Sequence, residues 1–196
     1  MAAVNVADSL PIRSLASSGL FEDGLMQRGG HALTVHVGDR KRHANLFGNG
    51  TLTVRGCGSL AEAREVLGEL RERVATVAKV REGFLDVKIK NIVATLSLGT
   101  SIDLSRIVEA LPIGEAVYEP EEFPGLILRK SNEKVVVLVF HSGKLVIVGT
   151  RSRRELERVA SRTFAFFTDL GLLNAGRGEM TTDVDQSPRY EMQQTD

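Results

Sequence analysis

Few side chains in this sequence stand where they could break or form bonds. Asp8 and Ser9 have His31 downstream, but a nucleophile needs a base within hydrogen-bond reach and a third group to orient that base, and no segment has such spacing. Carboxylate pairs recur on helical segments without an interval suited to acid–base work. The histidines have no ligand-like spacing and Cys57 is the only cysteine, so neither an intrachain disulfide nor a cysteine-based metal site is expected. We expect no catalytic residue, no metal and no cofactor, and an inert Cys57 in a reducing compartment. The residues that recur in a pattern are phenylalanine, glycine, serine and glutamate. Those types make apolar contact, tight turns and helix starts.

The pattern is an internal repeat. Phe47, Gly50, Gly56, Ser59 and Glu62 recur as Phe140, Gly143, Gly149, Ser152 and Glu155 at a constant interval of 93 residues. Phe-x-x-Gly between apolar runs (LFGNGTLTV and VFHSGKLVIV) reads as a hairpin whose glycine supplies a positive φ. Ser59-x-x-Glu62 and Ser152-x-x-Glu155 read as capping boxes that satisfy orphan N–H groups at helix starts. Behind them, Val66, Leu67, Leu70 and Val74, and then Leu156, Val159, Ala160, Thr163 and Phe167, fall at helical spacing.

Upstream in the second half, Val87 to Leu98 reads as a strand, and Leu104, Ile107, Val108 and Leu111 as a short helix stopped near Pro112. The unit is strand, helix, three strands, long helix. The first half repeats that order with a strand around Ala3 to Leu10, a helix near Pro11 to Leu20 and a strand from His31 to Val37. Measured from Asn5 to Gly30 it is trimmed against Asn91 to Phe123, 25 residues against 32. The expected organisation is a shortened first repeat over 1–80, a complete second over 81–173, and a polar, acidic, disordered tail over 174–196. In the run Val135 to Phe140 both alternations are apolar. One sheet face takes the helices, so the other calls for a further domain, a second copy or a ligand.

Composition narrows the ligand. Net charge is +0 with a pI near 6.9, which argues against nucleic-acid binding driven mainly by phosphate neutralisation. Binding by apolar contact and shape stays open. The apolar runs are too short to cross a bilayer, and the first residues lack a basic then apolar leader, so the protein is expected to stay where it is made.

The segments IKNIVATLSLG, VYEPEEFPGLILR and VVVLVFHSGKLVIVG resemble, in order and spacing, those of TATA-box-binding proteins of the archaeal type, with one inserted residue near Ala116. The resemblance is strong over about ninety residues and weak over the preceding eighty. It implies an α+β fold in which two pseudo-symmetric repeats form a curved antiparallel saddle with helices on the convex face. The concave face would lie on an AT-rich minor groove and kink it with inserted apolar wedges, a mechanism for which this family is a standing example. By that resemblance Phe123 and Phe140 are a wedge pair, and Asn91 is a central asparagine reading minor-groove acceptors. Val93, Leu138, Val146 and Val148 form the apolar floor. Arg129, Lys144 and Arg151 meet phosphates, and Glu119, Glu121 and Glu122 form a loop offered to transcription factor B.

The first half departs from this. The constant interval puts Gly30 at the first wedge position, leaving Phe47, and turns the phosphate positions into His36, Thr51 and Gly58. His43 and Asn45 stand where the second half has Val136 and Leu138, Arg55 stands where it has Val148, and Asn5 matches a second central asparagine. Arg55 is expected to recover some grip by entering a narrow minor groove. The function implied is a general transcription initiation factor that binds and bends promoter DNA and recruits transcription factor B and RNA polymerase. It would be cytoplasmic and nucleoid-associated in an archaeon, nuclear in a eukaryote. The alternative is a paralogue of the family that acts as a protein-interaction or regulatory module with weak or no DNA binding of its own.

Overall fold

The computed structural model describes residues 1–38, 42–129 and 133–173 and divides the chain into two compact units, Met1–Lys90 and Asn91–Asp196. The first runs β1 (Ala2–Asn5), α1 (Ile12–Ser17), β2 (Leu25–Met26), β3 (Ala32–Val37), β4 (Arg42–Phe47), β5 (Thr51–Arg55), α2 (Leu60–Ala75) and β6 (Lys88–Ile89). The second runs β7 (Ile92–Ser97), α3 (Leu104–Ala110), β8 (Ala116–Val117), β9 (Gly125–Leu128), β10 (Val136–Phe140), β11 (Lys144–Thr150) and α4 (Arg153–Asp169). The sheets are ordered β2-β3-β4-β5-β1-β6 and β7-β11-β10-β9-β8, and every strand pairing is antiparallel. The expected tail, 174–196, lies outside the described residues.

Both long helices start at their serines. Ser59 Oγ and Ser152 Oγ each accept the N–H three residues on, from Glu62 and Glu155, at 3.1 Å. The glutamates answer one residue further back than a simple box requires: Glu62 accepts the Gly58 N–H and Glu155 the Arg151 N–H, both at 2.7 Å. Each device pins the turn from strand to helix as well as the helix end. Val66, Leu67, Leu70 and Val74 of α2, and Val159, Ala160, Thr163 and Phe167 of α4, are then buried against one face of their own sheet. Removing that apolar surface from water is the main stabilising term.

Three expectations about strands need correction. The stretch Val87 to Leu98 is two strands, since Lys88–Ile89 pairs with Ala3 and Ala2 of the first sheet while Ile92–Ser97 pairs with β11. The divide between units therefore falls after Lys90, later than residue 80. The strand expected to reach Leu10 stops at Asn5, because the chain then runs across the hairpin tip, where Val6 and Leu10 N–H groups donate to the Gly50 and Gly48 carbonyls at 2.8 and 2.9 Å. Each sheet also gains a two-residue edge strand, β2 and β8. An edge so short leaves little backbone for unwanted pairing.

Candidate nucleic-acid interface

Alternation along β10 and β11 sends Val137, Val139, Leu145 and Ile147 into the second core. The opposite face carries Val136, Leu138, Phe140, Val146 and Val148, none of which joins that core cluster. Register builds this face in rows: Ile127, Leu138, Val146 and Thr95 in one, Val136, Val148 and Val93 in the next. Val146 is buried by its neighbours, while Val93 at the edge is 43% exposed. An apolar sheet face with no helix over it among the described residues is the feature a binding partner would cover.

One end of that face carries a ring pair. Phe123 and Phe140 meet edge to face with centroids 5.8 Å apart. Phe123 is set by a tight turn in which the Glu122 and Phe123 N–H groups both donate to the Glu119 carbonyl at 2.9 Å. Gly125, the cross-strand partner of Phe140, makes the meeting possible: a Cβ there would lie 2.7 Å from one ring and 2.9 Å from the other. Sequence reasoning missed Gly125, although a glycine inside a strand is itself a sign of close approach.

The polar candidates surround this floor. Lys144 is exposed and faces Ser97, Arg151 is exposed beside the α4 cap, and Arg129 is exposed at the end of β9. Asn91 Oδ1 accepts the Gly149 N–H at 2.9 Å, where the register of β11 slips between Val148 and Thr150. This bond fixes the amide's orientation beside the floor. Glu119, Glu121 and Glu122 are exposed on the loop that carries Phe123.

The open face of the first sheet is built on the same register from different residues. Ala32 pairs with Phe47 as Gly125 pairs with Phe140, so Gly30 stands where Phe123 stands and Phe47 has no partner ring among the described residues. Thr34, Asn45, Thr53 and Ala3 form one row, and His36, His43 and Arg55 the next. This face is polar where the other is apolar. The match of Asn5 to Asn91 is wrong. Asn5 faces Thr51 as Ser97 faces Lys144, and Val6 donates to the Gly50 carbonyl as Leu98 does to Gly143. Asn5 therefore occupies the place of Ser97. Its amide donates to the Asn49 carbonyl at 3.0 Å and accepts from Arg81 at 2.6 Å, a bracing role. The apparent trimmed loop goes with it, since Asn5 to Gly30 and Ser97 to Phe123 differ by a single residue.

Charge on this face is titratable. The His36 and His43 rings lie 4.5 Å apart. His36 Nδ1 is buried without a hydrogen-bond partner yet lies 3.4 Å from Asp23 Oδ2, a contact that becomes an ion pair when the imidazole is protonated. Burial first, then the neighbouring His36 and Arg55, push the His43 pKa below the ordinary histidine value. The unfolded chain thus binds a proton at His43 more readily than the folded one, so this contribution to stability is complete above the ordinary histidine pKa and is lost as pH falls through the lowered one. We expect the urea midpoint of the wild type to drop between about pH 8 and pH 5, the range in which an ordinary histidine changes charge, and the His43→Gln variant to drop less. Equal drops would exclude this origin.

Two copies of one α+β unit, each with helices on one side of an antiparallel sheet and the other side open, define a two-repeat sheet protein with a face to lay on a partner. In comparisons with known proteins, the profile of the family described as transcription factor TFIID, or TATA-binding protein, matches residues 86–170. The TATA-box-binding protein of Archaeoglobus fulgidus is 32% identical over 141 residues, 72% of this chain and 77% of that protein. TATA-box-binding protein 3 of Methanosarcina mazei is 31% identical over 174 residues, 88% of this chain and 94% of that protein. The solved structure of Methanococcus jannaschii TBP superposes with a TM-score of 0.74 at 28% identity, covering 86% of this chain and 94% of that one. The chain belongs to the TATA-box-binding protein family, in its archaeal-type, two-repeat form, a family of non-catalytic transcription factors.

Proposed function

We propose that this protein is a general transcription initiation factor that lays its open sheet faces on the minor groove of AT-rich promoter DNA and bends it. The observation that carries the reading is the apolar open face of the second sheet, with the Phe123–Phe140 pair at its end, on a chain of zero net charge. A surface of that kind gains affinity by wedging and shape, at the cost of unstacking base steps, rather than by phosphate neutralisation alone. Arg129, Lys144 and Arg151 anchor the backbone on the second side, and Arg55 supplies charge on the first. The loop with Glu119, Glu121 and Glu122 receives transcription factor B, which in turn brings RNA polymerase.

The test is a mobility-shift and bend measurement on an AT-rich duplex, with and without transcription factor B. The expected result is a bent complex, tightened by transcription factor B, with a log–log salt slope of about −3 to −4 from four cationic contacts. A second reading, a regulatory or protein-interaction paralogue with little DNA binding of its own, draws support from the polar first face and its unpaired Phe47. Absence of any bent complex at low salt would favour that reading and overturn the first.

A further inference from the structure

A chain of side-chain hydrogen bonds crosses the open face of the first sheet. Gln27 Nε2 donates to Thr34 Oγ1 at 3.0 Å, and Thr34 Oγ1 donates to Asn45 Oδ1 at 2.8 Å. The residue at its head is held in place, because the Gln27 backbone N–H donates to the Ala32 carbonyl at 2.9 Å. A threonine hydroxyl has one proton, so with a donor on one side it must give that proton to the other. Asn45 Oδ1 is thereby engaged inside the chain, and no hydrogen bond among the described residues uses Asn45 Nδ2. Ala44 and Leu46 on either side point into the core, which aims the amide out of the open face, half-buried between Thr34 and Thr53. The equivalent row of the second sheet has Leu138 between Ile127 and Val146 and offers no polar group at that position.

We propose that Asn45 is a specificity-determining residue of the first unit, presenting oriented amide donors to a minor-groove acceptor, adenine N3 or thymine O2, of the base pair it covers. This rests on the DNA-binding reading above. A G·C pair also has acceptors there, but it adds the guanine N2 amine, which would meet the Asn45 amine donor to donor. The two halves of the protein then read DNA differently: the second by apolar fit and deformability, the first by a hydrogen bond set by a three-residue relay. Gln27 and Thr34 are its positioning residues.

The experiment is a substitution scan of a bound AT-rich duplex with 3-deaza-adenine, which lacks the N3 acceptor, and with 2-thiothymine, whose sulfur is a poor acceptor in place of O2, read as affinity at each position for the wild type, Asn45→Leu, Thr34→Val and Gln27→Glu, with thermal melts to establish folding. For the wild type one position in the half-site under the first unit should lose about 3- to 10-fold, the range of one neutral hydrogen bond. Asn45→Leu should be indifferent to the analogue at that position while keeping the rest of the profile, and Thr34→Val should fall between. Gln27→Glu places an acceptor at the head of the chain, turns the Thr34 proton round and leaves Asn45 presenting its oxygen, so preference at that base pair should move toward G·C relative to A·T. A flat wild-type scan, or an Asn45→Leu profile identical to the wild type, overturns the proposal while DNA binding stands. Failure of the wild type to bind the unmodified duplex overturns the functional reading, and this inference with it.

Discussion

Replacing Phe123 and Phe140 together by alanine should remove stable DNA binding, whereas Phe47→Ala should weaken it by a smaller factor. The two rings pack edge to face at 5.8 Å, a geometry worth about 0.5–1.5 kcal/mol beyond the area it buries, so each holds the other in the pose that meets a base step. By analogy with large-to-small truncations in cores, losing either wedge costs on the order of 3 kcal/mol, roughly a hundredfold in affinity. Losing both leaves the second face with aliphatic side chains and Thr95, and no flat ring to enter a base step. Phe47 has Ala32 across from it and Gly30 in place of a second ring, so it starts as the weaker wedge. The readouts are duplex affinity and bend angle for each variant beside its thermal stability. The rings sit outside the core cluster, so binding should fall much further than folding. Gly125→Val makes the same point without touching an aromatic residue, since its Cβ must part the two rings. Retained binding in the double variant together with its loss in Phe47→Ala would reverse the assignment of the halves.

The parts of this interface that could be read from the sequence are those written into local periodicity. Capping serines, hairpin glycines and the doubly apolar run Val135 to Phe140 each state their structure within a few residues, and the second-unit face follows from alternation alone. What failed depended on which strand pairs with which. Asn5 and Asn91 are both asparagines beside an apolar segment, yet Asn5 ends β1, opposite Thr51 of β5, whereas Asn91 precedes β7. The true counterpart of Asn5 is Ser97, six residues beyond Asn91, and a shared residue type cannot report such a slip. The break at Lys90 is invisible for a similar reason, because two successive apolar segments look continuous until one joins a different sheet. The His36–His43 contact and the relay from Gln27 to Asn45 run between neighbouring strands, and only pairing register sets which side chains meet there.

Gly143→Ala and Gly50→Ala should each cost on the order of 3–5 kcal/mol of folding stability, a large fraction of the roughly 5–15 kcal/mol that holds a typical domain. Both residues have positive φ, 77° and 78°, which alone costs an L-residue roughly 1–2 kcal/mol. The larger part is a collision that φ does not reveal. A Cβ on Gly143 would stand 1.9 Å from the Thr100 carbonyl oxygen, and one on Gly50 would stand 1.8 Å from that of Ala7. Neither neighbour is a side chain that can swing aside. Moving it pulls on the bonds that tie the passing chain to the hairpin: Leu98 to Gly143 at 3.0 Å and Ile102 to His141 at 2.8 Å in one unit, Val6 to Gly50 and Leu10 to Gly48 in the other. Each such hydrogen bond is worth about 0.5–1.5 kcal/mol. Gly99→Ala is the control, with φ at 69° and nothing within 4 Å of the added carbon, so it carries the backbone cost alone. Urea midpoints should therefore fall far more for Gly143→Ala and Gly50→Ala than for Gly99→Ala, and equal falls would reduce the recurring Phe-x-x-Gly to a turn preference. If the collision governs, the repeated glycine is kept by the crossing of the chain over each hairpin tip, between Phe140 and Lys144 in one unit and between Phe47 and Thr51 in the other. The wedge and the tip then move as one rigid piece.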